Sequence, residues 1–82
     1  MNKRKLLGIV INNRSNVRFN DFVALLEYFG FRLARTKGSH RIYRNASIPK
    51  SISIQNDNGQ AKPYQIDQFL KIVEKYQLEA RD

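Results

Sequence analysis

Hydrophobic and polar positions change period along the chain, and each change marks an element. Leu6, Leu7, Val10 and Ile11 recur at helical spacing and predict a short helix over residues 3–13. The polar run Asn12-Asn13-Arg14-Ser15-Asn16 follows as a link. Phe22, Val23, Leu25, Leu26 and Phe29 then form a broad apolar stripe, the mark of an amphipathic helix. Asn20 is its expected N-cap, with Asp21 in the first turn to complement the helix dipole, Phe19 to staple the start and Gly30 to stop it. From Phe31 the period is two: Phe31, Leu33 and Arg35 alternate with Arg32, Ala34 and Thr36. Lys37-Gly38-Ser39 supplies a turn, and a second strand over residues 40–44 completes a hairpin. After residues 45–49, Ser51-Ile52-Ser53-Ile54 alternates again and predicts a third strand of an antiparallel meander. Asn56-Asp57-Asn58-Gly59 reads as a loop, and Pro63 suits the first turn of a last helix carrying Ile66, Phe69, Leu70 and Val73.

The order of helix, three strands and helix predicts an α+β domain with both helices on one face of a three-stranded antiparallel sheet. That is the outline of double-stranded-RNA-binding domains. Residues 17–82 are expected to form the domain, with residues 1–16 as a short helical extension. Phe22, Leu26, Phe31, Leu33, Ile52, Ile54, Phe69 and Val73 are the expected core, and the other sheet face is expected to stay wet. No internal repeat or low-complexity tract interrupts this plan.

Composition narrows what such a domain can do. The chain has no cysteine, which removes thiol catalysis, thiolate zinc sites and disulfides. The apolar run from Leu6 to Ile11 is too short for a membrane span and leads into no cleavage pattern, so the chain is expected to be mature sequence without membrane association, in keeping with the cytoplasm. Fifteen Lys and Arg against seven Asp and Glu give a net charge of +8, which predicts a polyanionic partner. The charges are also segregated. No acid lies between Tyr28 and Asn56, whereas that interval holds Arg32, Arg35, Lys37, Arg41, Arg44 and Lys50. Solubility alone does not explain the segregation; nucleic acid or an acidic protein does.

The only histidine, His40, follows Gly38-Ser39 inside this basic segment. Imidazole exchanges protons near neutral pH, so His40, among Lys37, Arg41 and Arg44, is a candidate general base. The residues alone leave a second reading open, in which His40 is a partly buried strand residue beside Ile42 and Arg44. Ser39 has no visible Ser-His-Asp partners and is a candidate turn or phosphate contact. One His without clustered carboxylates supplies too few ligands for a metal, and no cofactor is expected. RNA needs neither, because its own 2′-hydroxyl is the nucleophile. Tyr43 and Tyr64 have the chemistry to stack on bases, although tyrosines in so small a domain more often line the core edge.

Phe29-Gly30-Phe31, then Lys37-Gly38-Ser39-His40-Arg41-Ile42-Tyr43, then Lys62-Pro63 ahead of an amphipathic helix, occur in an order that resembles the HicA (YcfA-like) toxin family. The resemblance runs from about residue 17 to residue 78 and implies a metal-independent mRNA interferase of a type II toxin–antitoxin system, with the double-stranded-RNA-binding-like fold. It implies that His40 is catalytic, that RNA meets Lys37, Gly38, Ser39, Arg41, Arg44, Arg35 and Lys62, and that mRNA cleavage arrests translation. It also implies a HicB-type antitoxin as partner, with the toxin a monomer alone and a hetero-oligomer in the complex. Tyr64 departs from the pattern, since many members carry glycine after Lys-Pro. A noncatalytic RNA-binding domain using the same basic face is the alternative function.

Overall fold

The computed structural model describes residues 3–80. Three helices, α1 (Lys3–Asn12), α2 (Phe19–Tyr28) and α3 (Pro63–Tyr76), accompany four strands, β1 (Phe31–Lys37), β2 (His40–Asn45), β3 (Ser51–Asp57) and β4 (Gln60–Ala61). A single 3₁₀ turn, Arg14–Asn16, lies between α1 and α2. The sheet is antiparallel throughout, in the order β1-β2-β3-β4, so the α-β-β-β-α outline holds with one short strand added. No helix among the described residues is long and apolar enough to cross a membrane.

β4 corrects the expectation of three strands. Asn56 and Asp57 belong to β3, and only Asn58-Gly59 turns, with φ of 52° and 86°. Positive φ at both central residues matches the right-handed twist of the strands they join, and Asn-Gly is the pair that adopts it most readily. β4 is itself covered: the Ala61 N–H donates to the Val17 carbonyl (2.8 Å) and the Phe19 N–H to the Gly59 carbonyl (2.9 Å). The second bond also explains why α2 starts at Phe19, with Arg18 rather than Asn20 as its N-cap. The carbonyl of the turn residue Gly59 satisfies the amide at the helix start, and the buried Phe19 ring fixes the position.

One core runs through the molecule. Phe22, Leu25 and Leu26 of α2, Ile66 and Phe69 of α3, and Phe31, Tyr43, Ile52 and Ile54 of the sheet are buried together. Leu6 and Val10 of α1 belong to the same cluster. Phe69 is the hub, meeting Phe22, Phe29 and Phe31 edge to face with ring centroids 5.8, 5.4 and 6.1 Å away. Each such pair is worth roughly 0.5–1.5 kcal/mol beyond its buried area. Leu33 is the exception among the expected core residues, being 51% exposed. It sits on the edge strand, one pair beyond Arg32 and against an irregularity in the ladder, at the uncovered margin of the sheet. Val73 is only partly buried.

Two buried amides join the layers. Asn45 donates from Nδ2 to the Phe29 carbonyl (2.8 Å) and accepts from the Ser47 N–H (2.8 Å), tying the end of β2 to the end of α2. Gln65 of α3 accepts the Gln55 N–H of β3 on its Oε1 (3.0 Å), one residue beyond the last β3–β4 pair. An amide that β4 is too short to reach is thereby satisfied.

Candidate functional site

The sequence Lys37-Gly38-Ser39-His40 closes the β1–β2 hairpin with a two-residue turn. Lys37 pairs with His40, and Gly38 has φ of 60°. Positive φ at the first central residue alone is the II′ pattern, which glycine adopts without strain. A Cβ built at Gly38 would meet nothing within 4 Å, so the turn is open to an approaching ligand.

Register decides which side chains share a face, because directly opposed residues point the same way. Tyr43, Asn45, Ile52 and Ile54 face the helices and are buried. The intervening residues make three rows across the open face. His40 lies between Lys37 and Gln55, Ile42 between Arg35 and Ser53, and Arg44 between Arg32 and Ser51. Successive rows are about 7 Å apart. His40 itself is exposed.

The membership of β1 in these rows corrects the simple alternation. Phe31, Arg32 and Leu33 pair with Asn45, Arg44 and Tyr43, but the register shifts between Leu33 and Arg35, so that Arg35 faces Ile42 and Lys37 faces His40. Ala34 is the extra residue of a β-bulge. Arg35 therefore does not share the face of Phe31 and Leu33, as unbroken alternation requires; it joins Lys37 on the open face.

Lys62, half-buried with extended backbone, directly follows β4 as the N-cap residue of α3, outside the paired rows. Arg41 turns away from the open face. It shares the covered side with Tyr43, and its guanidinium carbon lies 5.1 Å from the Phe19 ring centroid, a cation–π contact at the margin of the core. Of the residues expected to meet RNA, the fold thus gathers Lys37, Arg35 and Arg44 on the face of His40, with Gly38 and Ser39 at its turn, leaves Arg41 behind it and sets Lys62 at the start of α3.

Sequence reasoning missed Gln55. Its backbone is held by Gln65, and its side chain donates from Nε2 to the Ser39 hydroxyl oxygen (3.1 Å), pinning the turn before His40. Its only signal was its place in an alternating strand. Asp57, two residues on from Gln55, is the only acid in the four strands. Asp67 is elsewhere, paired with Arg14 at 2.7 Å. Tyr43 is core, and Tyr64 is 54% exposed on α3. No group of three or more His, Cys, Asp or Glu that could hold a metal is present among the described residues.

An exposed histidine between a lysine and a carboxamide, on a cationic sheet face, is a setting for proton transfer beside a phosphate. A family described as the HicA toxin of bacterial toxin–antitoxin systems matches residues 19–74, which begins at α2 and includes the whole sheet and most of α3. The chain belongs to the HicA toxin family. Neither a curated protein nor a solved structure matches it significantly. Family membership makes the chain a toxin of a toxin–antitoxin system, and the matched span contains the three open-face rows and the hairpin turn of this HicA chain.

Proposed function

We propose that the chain is a metal-independent endoribonuclease, an mRNA interferase, in which His40 is the general base. His40 takes the proton from an RNA 2′-hydroxyl. The 2′-oxygen then bonds to the adjacent phosphorus while the bond from phosphorus to the 5′-oxygen breaks, and the leaving oxygen takes a proton from water or from the imidazolium. Lys37, Arg35, Arg44 and Lys62 bind the backbone and stabilise the charge that grows on the phosphate oxygens. A positioned base is worth about 10²–10⁴ in rate. The observation that carries this reading is the row Lys37, His40, Gln55, in which the only histidine of the chain stands exposed beside a cation at an open turn.

The biological setting comes with the same reading. Cleaved mRNA stops translation in the bacterial cytoplasm, and an antitoxin of the HicB type neutralises the toxin by covering the cationic face. The sharpest test is His40→Ala, a change at an exposed position that should leave the fold intact. The variant should lose RNA cleavage and growth arrest while binding RNA with the wild-type salt dependence. A folded variant that still cleaves refutes the assignment. A wild-type protein that binds RNA and never cleaves it is the noncatalytic RNA-binding domain instead.

A further inference from the structure

At the end of the sheet away from the His40 turn lies an open groove of about 540 Å³. Its walls combine Arg32 and Arg44 of the open face with Leu33, Ile48, Pro49 and Lys50. Three features separate it from an ordinary surface fold. Leu33 is 51% exposed, a large apolar side chain left at a groove wall. Arg32 is anchored before any ligand arrives, donating from one guanidinium nitrogen to the Glu27 carbonyl (3.1 Å) and the Phe31 carbonyl (2.8 Å). The cations Arg32, Arg44 and Lys50 stand in the groove with no acidic residue lining it.

We infer that this groove binds one nucleotide of single-stranded RNA flanking the cleaved bond, an inference that rests on the ribonuclease reading of the His40 face. The base lies against Leu33 and Ile48 with the Arg32 guanidinium as a stacking plane, and Arg44 and Lys50 take the neighbouring phosphate. Unpaired bases are recognised on arginine planes and apolar side chains in this way, and phosphate charge matches the rim. The geometry favours RNA over a protein strand because Arg44 belongs to both places. It closes a row on the open face and lines the groove, four residues along β2 from His40, a run of about 13 Å. A strand of RNA crossing the His40 row and following Lys37, Arg35 and Arg32 along β1 reaches the groove within a few nucleotides.

The test uses the full chain and two fluorescent single-stranded RNAs carrying a 2′-deoxy sugar at the scissile position, which bind without being cut. One is two nucleotides long; the other extends by several nucleotides on both sides. Leu33→Glu and Lys50→Ala alter exposed groove residues, and circular dichroism checks their folding. Wild-type protein should bind the long RNA far more tightly than the short one. Each variant should weaken long-RNA binding by about tenfold and leave short-RNA binding unchanged. Equal loss on both RNAs, or none on the long one, overturns the groove assignment. If neither variant affects RNA but both weaken binding of an acidic antitoxin, the groove is a protein site and the inference is wrong. Cleavage of ordinary RNA by wild type and by His40→Ala, run beside these, reports on the ribonuclease reading independently.

Discussion

The two faces of one sheet differ in almost every respect although they alternate along the same strands. On the covered face Phe31, Tyr43, Ile52 and Ile54 are at most 3% exposed and lock onto the helices. On the open face Arg32, Arg35, Lys37, His40 and Arg44 remain in solvent. Stability therefore resides on one side and the proposed chemistry on the other, with Gln65 and Gln55 as the link between them. Arg41 shows how strictly the pleat enforces this. It is next to His40 in sequence, and its guanidinium nevertheless lies over the Phe19 ring.

Substitutions can break that division or sharpen it. Phe69→Ala should have the largest effect, because it removes the ring that three other phenylalanines meet. A loss of about 3–5 kcal/mol is expected in denaturant titration, a large share of the stability of so small a domain. Smaller and more informative is Gln65→Leu, which leaves the Gln55 N–H without its acceptor across the layers. It should cost about 1–3 kcal/mol and also lower cleavage, since Gln55 holds the Ser39 turn. A stability loss with unchanged cleavage would show that the turn does not need this support. Deleting Ala34 should have the mildest effect of the three. Removal of the bulge residue leaves Arg35 opposite Ile42 and Lys37 opposite His40, so binding to single-stranded RNA should stay within a few fold of wild type. A large loss would mean that the twist of the bulge, and not face alone, positions the cations.

Much of this division is legible along the chain, because burial on one side of a strand writes a period of two and a glycine turn has few alternatives. The β1–β2 hairpin, the Gly30 stop, the Pro63 start and most of the core come from those signals. The bulge does not. Two apolar residues in succession, Leu33 and Ala34, are too slight a break to mark a bulge, and only pairing with β2 shows that the phase has shifted, which is why Arg35 belongs with Lys37 and not with Phe31. Leu33 misleads for a related reason, since apolarity reports what burial permits and an edge strand need not supply it. Asn45 and Gln65 are hidden in the opposite sense. Amides read as surface residues until the tertiary fold brings unsatisfied backbone groups within reach of them. β4, two residues long, has too few positions to show any period. His40 is conspicuous in sequence as the only histidine; its neighbour Gln55 comes from β3, distant in the chain, and only the register brings the two together.

Single-turnover cleavage of a defined single-stranded RNA, compared between wild type and His40→Ala at matched RNA occupancy, tests the central claim most directly. The proposed mechanism predicts a rate lower by about 10²–10⁴ with unchanged thermal unfolding and unchanged RNA affinity. A folded, RNA-saturated His40→Ala protein that cleaves at the wild-type rate would contradict it.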